Sequence, residues 1–324
     1  MTAIFSSFLL ALLLVTAIAI VRISNLFAVV MLSGVFSLLL AINFFLLDAA
    51  DVALTEAAVG AGISTVLLLS ALAMTAEHEH NPPCNRGIAL VVTISITLLI
   101  VYATFDRPEF GDPMAPIHQH VAPWYLESTR TAIDIPNVVT AVLGSYRGYD
   151  TLGEVFVVLT AGIGVMFLLS APSTRRRAAA MIPDEGLRHF QIPRIVGRMV
   201  IPFILLFALY VQFHGEYSPG GGFQAGAIFA AAIILYALLE GEEQALKVLP
   251  RKLLTFLMSA GALLYGGVGV VTMLLGGNFL DYSVLASDPV KGQQWGIIAI
   301  ELGVGITVAG VLLAIYHAFA ARGR

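Results

Sequence analysis

Long apolar segments separated by short polar connections make up most of this chain. A helix that crosses the apolar core of a lipid bilayer needs roughly 20 consecutive, mainly apolar residues. Nine segments meet this requirement, so the pattern predicts an all-α, polytopic membrane protein with about nine transmembrane helices. The predicted spans are residues 4–21, 26–47, 52–74, 88–105, 152–171, 195–213, 221–239, 253–276 and 295–319.

The composition excludes the common soluble classes of protein. Of the 324 residues, 58% are hydrophobic and only 12% are charged, whereas roughly a quarter of the residues in soluble domains are charged. The chain therefore lacks the charged surface that a soluble enzyme, a disordered regulator or a nucleic-acid-binding protein needs. The single cysteine, Cys84, excludes a disulfide framework and a multi-cysteine metal or iron–sulfur site within this chain.

The distribution of basic residues predicts how the helices are oriented. Five arginines lie between residues 173 and 194, and an excess of Lys and Arg is typical of cytoplasmic loops. Placing this connection in the cytoplasm puts the N-terminus outside and the C-terminus inside. Of the 17 Lys and Arg residues, that orientation leaves only four outside: Arg107, Arg130, Arg147 and Lys291.

The connection formed by residues 106–151 is long and is predicted to lie outside. Several prolines interrupt it, and Trp124 and Tyr125 are typical of the membrane–water interface. Residues 131–145 are apolar enough to form a helix, which we expect to lie on the membrane surface or against a partner protein.

Three glutamates lie inside predicted spans: Glu56, Glu154 and Glu301. A carboxylate at membrane depth is costly unless it is paired or hydrated, so each is a candidate for an ion path. In the predicted orientation their three helices all enter from the outside, which places the carboxylates in the outer half of the membrane. A Gly-x-Gly sequence follows each one and allows close helix packing. The alternative for Glu56 and Glu154 is an interaction with the helix dipole and headgroup water.

A glycine-rich connection joins the sixth and seventh spans. Pro219, Gly220, Gly221 and Gly222 predict a tight turn, because proline fixes one dihedral angle and glycine permits close backbone approach. The turn leads into a helix N-terminus, which either holds an anion or carboxylate or binds no ligand. His214 precedes the turn and either carries a proton near neutral pH or is an ordinary exposed loop histidine.

Two pairs of histidines do not predict a metal site. His78 and His80 form one pair and His118 and His120 another, and the predicted topology places the pairs on opposite sides of the membrane. Each pair alone supplies too few ligands for a closed zinc site. The sequence also lacks a Ser-His-Asp arrangement, a Walker loop and a haem motif, so it predicts neither an enzyme nor a bound cofactor.

Three segments carry a family resemblance. Residues 51–62 (DVALTEAAVGAG) resemble the MbhD family, and residues 137–154 (NVVTAVLGSYRGYDTLGE) resemble the MbhE family. Residues 214–226 (HGEYSPGGGFQAG), together with residues 300–305, resemble the MnhB/MrpB family. The order of the matches is that of an Mrp-type antiporter in which the C-terminal part of the large MrpA protein is joined to MrpB. The resemblance divides the chain into modules 1–80, 81–172 and 195–324, with a basic linker, 173–194, before the last.

The resemblance implies exchange of Na⁺, or another monovalent cation, for H⁺ in the cell inner (plasma) membrane. It implies a complex with other Mrp-type subunits, including large antiporter-like ones, and contact with membrane lipid. The family acids map onto Glu56, Glu154 and Glu301, with Asp150 close by. Arg147 is expected to anchor its turn by pairing with Asp150. No predicted span contains a central lysine, so this chain alone is not expected to be a complete proton pump.

Three hypotheses follow from the sequence. The first is an accessory subunit of a cation/proton antiporter whose carboxylates form part of an ion path. The second is a subunit in the membrane arm of a hydrogenase or related redox complex. The third is a helical scaffold whose acids pair with partner helices. The sequence does not separate the first from the second, because both kinds of complex use the same modules.

Overall fold

The computed structural model describes residues 2–79, 86–109, 111–169, 187 and 189–321, and most of the predicted basic linker lies outside them. Within these ranges the regular structure is helical and contains no strand. Nine described helices are long and apolar enough to cross a membrane. The predicted all-α, polytopic architecture is therefore confirmed.

The first half of the chain contributes five of these helices. They are α1 (Thr2–Arg22), α2 (Leu26–Leu46), α3 (Ala50–Leu72), α4 (Arg86–Thr104) and, after three short helices, α8 (Gly148–Leu169). The short helices are α5 (Pro116–Gln119), α6 (Val121–Ala132) and α7 (Val138–Ala141). Part of α3, Glu56–Ile63, is π-helical, and a second π-helical turn, Val142–Tyr146, follows α7.

The second half contributes the other four. They are α9 (Gln191–His214), α10 (Gly222–Glu240), α12 (Arg251–Leu274) and α13 (Pro289–Ala320), with the short α11 (Glu242–Val248) between α10 and α12. Helix α13 begins six residues before its predicted span. Asp288 caps it by accepting a hydrogen bond from the Val290 backbone N–H at 3.1 Å, and Pro289 suits the first helical turn.

Helix α13 is the centre of the bundle. Its apolar side chains Ile297, Ile300 and Val308 are at most 2% exposed, and they pack in one core cluster with residues of α8 and α12. Close approach of α12 depends on two glycines: a Cβ on Gly261 would lie 2.5 Å from the Gly303 carbonyl oxygen. Small residues at such crossings let the two helix backbones approach closely. The resulting van der Waals packing is a main source of attraction between helices in a membrane.

Residues 131–145 differ from the predicted surface helix. Helix α6 ends at Ala132, and the next helix starts only at Val138. Pro136 has no backbone N–H and disfavours a helical residue before it, and Asp134 has a φ of 57°. Ile133 and Ile135, in the break, are 2% and 3% exposed within the chain's own core. The segment is therefore a helix break buried in this chain, not a continuous helix on the membrane surface.

The antiparallel order of the long helices gives the bundle two ends. The starts of α3, α8, α10 and α13 share one end with the turn after α9; we call it the carboxylate end because Asp51 and Glu216 lie there. The starts of α9 and α12 and the end of α10 share the other, which we call the basic end for Arg194, Arg198 and Arg251. The outside-to-inside orientation of these ends remains a prediction.

Candidate functional site

A polar cluster at the carboxylate end joins all three predicted modules. Its centre is Asn137, whose side-chain amide lies 3.2 Å from the Asp51 carboxylate. The same amide lies 3.1 Å from the backbone carbonyls of Gly215 and Ser218 in the turn after α9. The Asn137 side-chain oxygen caps α7 by accepting from Val139 N–H at 3.0 Å. One side chain therefore holds α3, α7 and the glycine turn together.

Two further hydrogen bonds close this cluster. Gln224, which is 7% exposed on α10, donates from Nε2 to the Thr55 hydroxyl on α3 at 2.7 Å. Thr140 on α7 donates to the Gly215 carbonyl oxygen at 2.7 Å. These buried polar groups satisfy one another, as groups removed from water must.

Glu216 is the exception in this cluster. Its Oε1 atom is buried and has no hydrogen-bond partner in the described part of the chain. Burial raises the pKa of the Glu216 carboxyl above its ordinary value, because desolvation disfavours the charged form. Glu216 lies in the turn between α9 and α10, so a group that favours its protonated form sits at the carboxylate end.

The glycine turn packs its backbone directly against Glu301. Gly221 has a φ of 113°, which favours glycine, and a Cβ there would lie 3.2 Å from Glu301 Oε1. A Cβ on Gly222 would overlap the Glu301 backbone carbonyl oxygen, and one on Gly220 would lie 2.6 Å from the Val211 carbonyl oxygen. The predicted tight turn thus covers a half-buried glutamate, which interacts electrostatically with Glu216 and Asp51.

Glu56 lies one residue after Thr55, at the start of the π-helical part of α3. Its half-buried carboxylate folds over Gly60 of the same helix, where a Cβ would overlap it. Ser37 of α2 lies on the same side, with its hydroxyl 2.8 Å from that Cβ position. A π-helical turn widens the helix and leaves its backbone less regularly bonded, which is common at functional sites.

Arg147, Asp150 and Glu154 lie on an exposed surface. Arg147 Nη2 is 2.5 Å from Asp150 Oδ2, and the two side chains are 60% and 53% exposed. Glu154, one turn further along α8, is exposed as well. The structure therefore joins Arg147 to Asp150 and leaves Glu154 outside the cluster that contains Asp51, Glu216 and Glu301.

His214 also lies apart from the cluster. Its ring stacks on Tyr210 with centroids 4.6 Å apart and lies 6.0 Å from the Tyr217 ring. It lines a shallow, mostly apolar depression on α9 with Leu206, Leu209, Tyr210 and Phe213. No ion pair joins it to Glu216 among the described residues.

The cluster does not form a chelating metal centre. Across residues 2–79, 86–109, 111–169 and 189–321, no three His, Cys, Asp or Glu side chains converge in a way that would hold a metal ion. His118 and His120 are exposed, and His80 lies outside the described residues. The carboxylates of Asp51, Glu216 and Glu301 are therefore separate groups and not ligands arranged around one point.

Sequence reasoning missed several residues of the cluster, among them Asp51, Thr55, Asn137 and Gln224. Asp51 is at a span boundary, and Thr55 is indistinguishable from a helical threonine that bonds to its own backbone. The role of Asn137 could have been predicted from the sequence, because Asn directly before an apolar helix is a typical N-cap. Gln224 could have been singled out as well, because it is an amide in the first turn of an otherwise apolar span.

The basic end holds a second group of buried charges. Glu240 is 4% exposed and accepts from Arg194 at two positions, each at 3.0 Å, and from Arg198 at 2.6 Å. Glu242, also 4% exposed, accepts from Arg251 at 3.1 Å. A buried carboxylate near an apolar core is tolerated when a cationic side chain pairs with it and offsets its desolvation.

Three consecutive segments of the chain match known protein families. Residues 192–314 match a domain related to the MnhB subunit of Na⁺/H⁺ antiporters. Residues 11–77 match the MbhD family and residues 87–181 the MbhE family, which are the D and E subunits of MBH. An antiporter subunit named mnhB2 from Staphylococcus aureus (strain Newman) is 36% identical over 125 residues, which cover 38% of this chain and 88% of that protein. The chain belongs to the MnhB family of antiporter subunits and carries MbhD and MbhE domains before its MnhB domain.

A longer relative aligns with most of this chain. A protein of Rhizobium meliloti (strain 1021), named as the A/B subunit of a K⁺/H⁺ antiporter, is 27% identical over 90% of this chain. The chain spans 32% of the length of that relative. The resemblance to fused MrpA and MrpB proteins is confirmed by this match and by the three domain matches.

Two solved structures share the fold. The Mrp complex from Dietzia sp. DQ12-45-1b contains a chain that is 26% identical, with a TM-score of 0.76 over 97% of this chain and 34% of that one. The membrane-bound sulfane sulfur reductase, an archaeal respiratory membrane complex, contains a chain that is 28% identical. That second match has a TM-score of 0.53 and covers 71% of this chain and 95% of the other.

Proposed function

We propose that this chain is an accessory membrane subunit of a multisubunit antiporter that exchanges Na⁺, or another monovalent cation, for H⁺. The other subunits of such a complex, including large antiporter-like ones, are its proposed partners. The plasma membrane is its proposed location, with the carboxylate end outside. The single observation that carries the proposal is the polar cluster in which MbhD, MbhE and MnhB domains place Asp51, Asn137, Glu216 and Glu301 together.

The cluster supplies the two kinds of group that an ion path needs. Glu216 has an unpartnered, buried carboxylate oxygen, and its raised pKa favours retention of a proton. Asp51 and Glu301 add negative charge nearby, and the Thr55 and Gln224 oxygens are hard ligands of the type that small cations prefer. A proton and a cation that compete for one carboxylate couple their movements without a cofactor.

The ion path is proposed to extend from the cluster toward α2 on one side and toward α8 on the other. Glu56 follows Thr55 on α3 and extends the polar route toward α2. Glu154 and Asp150 are exposed on α8, so they are positioned to exchange ions with a neighbouring protein of the complex or with interfacial water. His214, stacked between two tyrosines at the same end, is proposed as a proton carrier at the mouth of the path.

The test is transport by the whole complex in vesicles from a host that lacks its own antiporters. We expect Glu56→Gln, Glu154→Gln and Glu301→Gln to abolish cation-dependent dissipation of ΔpH while the complex still assembles. Glutamine keeps the size of the side chain and removes its charge. Glu127→Gln, on the exposed surface of α6, is the matched control and is expected to transport normally.

Other outcomes of this test separate the competing hypotheses. Full transport by all three glutamine variants would refute the ion path. Loss of assembly before loss of transport would favour a scaffold whose acids pair with partner helices.

A second candidate function rests on the match to the archaeal respiratory complex. The chain covers 95% of the matched chain in that complex. The same helices would then serve in the membrane arm of a redox complex, where ion movement is coupled to electron transfer. Co-purification of this chain with iron–sulfur or nickel subunits would decide for this alternative, and co-purification with antiporter subunits alone would decide against it.

A further inference from the structure

A buried histidine at the basic end is not part of the site described above. His317, near the end of α13, is 1% exposed. Neither ring nitrogen has a hydrogen-bond partner in the described part of the chain. The Glu242 carboxylate lies close by, with its Oε1 atom 3.7 Å from His317 Nδ1. That distance is too long for a hydrogen bond, yet a shift of less than about 1 Å by either side chain would form one.

Glu242 is placed there by the connection between α10 and α11. Gly241 has a φ of 90°, which turns the chain sharply at the end of α10 and directs α11 along the base of the bundle. The Glu242 side chain is 5% exposed, and its Oε1 atom also accepts from Arg251 Nη2 at 3.1 Å. The Arg251 side chain is 45% exposed, so one carboxylate oxygen faces both a buried imidazole and a cation that reaches the surface.

The other charged groups around His317 are already paired. Glu240, two residues before Glu242, is held by Arg194 and Arg198 of α9. On α11, Lys247 pairs with Glu243 at 3.1 Å on the exposed side. The Tyr316 ring stands edge-on to the imidazole, with centroids 5.4 Å apart. Glu242 is therefore the acidic group closest to the imidazole.

We propose that His317 and Glu242 form a proton-binding site at the basic end, loaded from water past Arg251. The proton adds to a free ring nitrogen of His317, and the imidazolium Nδ1–H then donates to Glu242 Oε1 in place of Arg251. Loss of the proton returns the carboxylate to Arg251. Histidine suits this exchange because its charge changes between about pH 5 and 8.

This inference rests on the proposed function and extends it. His317 follows Glu301 by 16 residues on the same helix, about 24 Å at the rise of an α-helix. One helix therefore carries a titratable group near each end of the membrane-spanning bundle. A proton taken from or given to the carboxylate end needs such a counterpart at the opposite surface.

The test uses the whole complex in everted and in right-side-out vesicles, with the initial rate of cation-dependent ΔpH dissipation measured against the pH of the medium. When the basic end faces the medium, we expect the wild-type rate to change between about pH 5 and 8, and His317→Gln to lose that dependence. Arg251→Gln should move the midpoint of the profile to higher pH, because Glu242 Oε1 then no longer accepts from the Arg251 guanidinium. The exposed His120→Gln is the control and should keep the wild-type profile.

A wild-type profile in His317→Gln would overturn the proposal. If His317→Gln does not assemble, Arg251→Gln serves as the test, because the Arg251 side chain is half-exposed and its replacement is easily tolerated. An unshifted midpoint in Arg251→Gln then overturns the proposal. Thermal unfolding of the purified complex separates this proposal from the proposed function. A wild-type-minus-H317Q difference in Tm that varies between about pH 5 and 8 supports proton binding even if no cation-dependent transport is found. A difference that is constant with pH overturns it.

Discussion

Asn137 offers the sharpest test of how the three domains are joined. Its side chain donates to Asp51 and to the carbonyls of Gly215 and Ser218, and it caps α7. Asn137→Ala removes all of these interactions. Loss of the cap and of donors to partly buried acceptors should cost about 2–4 kcal/mol, with the remaining Thr140 bond to Gly215 limiting the loss. This corresponds to a decrease in Tm of roughly 3–6 °C for a chain of this size.

A second substitution at the same position tests the electrostatic part of this reasoning. Asn137→Asp keeps an oxygen that caps α7 but loses the amide donors and places a carboxylate next to Asp51. Like charges this close repel by several kcal/mol at the effective dielectric of a protein surface. We therefore expect Asn137→Asp to be less stable than Asn137→Ala at pH 8.

The assay is thermal unfolding of the purified complex at pH 8. Asn278→Ala and Asn278→Asp, on the connection after α12, serve as matched controls and should leave the Tm unchanged. The reasoning would be refuted if Asn137→Ala unfolded with the wild-type Tm. It would be refuted equally if the aspartate variant were the more stable of the two at pH 8.

Two further predictions concern the glycine turn. Burial raises the pKa of the Glu216 carboxyl in the folded state. The contribution of Glu216 to stability is therefore complete at low pH and is lost as the pH rises through the folded-state pKa. Glu216→Gln should raise the Tm at pH 8 and change it little at pH 4. A Tm gain that is larger at pH 4 would contradict this sign. Gly221→Ala should cost about 1–3 kcal/mol, because its φ of 113° is strained for any residue with a Cβ, and reduced assembly on native gels would report the loss. Gly266→Ala on α12, where a Cβ meets open space, is the control and should assemble normally.

The helices of this protein were predictable because each span must bury about 20 apolar residues in lipid. The residues at which the helices begin and end were less predictable. Helix α13 starts six residues early because Asp288 and Pro289 begin it in a polar segment, which a search for apolar residues ignores. The break in residues 131–145 was missed although Pro136 was visible, because the apolar residues on both sides outweighed one proline in the interpretation.

The candidate site was only partly predictable. Glu301 and the glycine turn were identified from the cost of a buried carboxylate and from the freedom of glycine, and the structure packs the two together. Asp51 is indistinguishable from a boundary residue in the sequence, because its partner Asn137 is 86 residues away in the chain. Glu154 was grouped with Glu56 and Glu301 by its position along the helix, but helix rotation leaves it exposed on α8.

The sequence by itself determined the class of the protein: a helical, polytopic membrane subunit with MbhD, MbhE and MnhB domains, each recognisable from its own local residues. Only the tertiary structure decided which polar groups meet. The hydrogen bonds of Asn137 and Gln224 and the approach of Glu242 to His317 join residues on different helices. Such contacts depend on how each helix is rotated and how closely its glycines let it approach a neighbour, and apolar length alone carries no information about either.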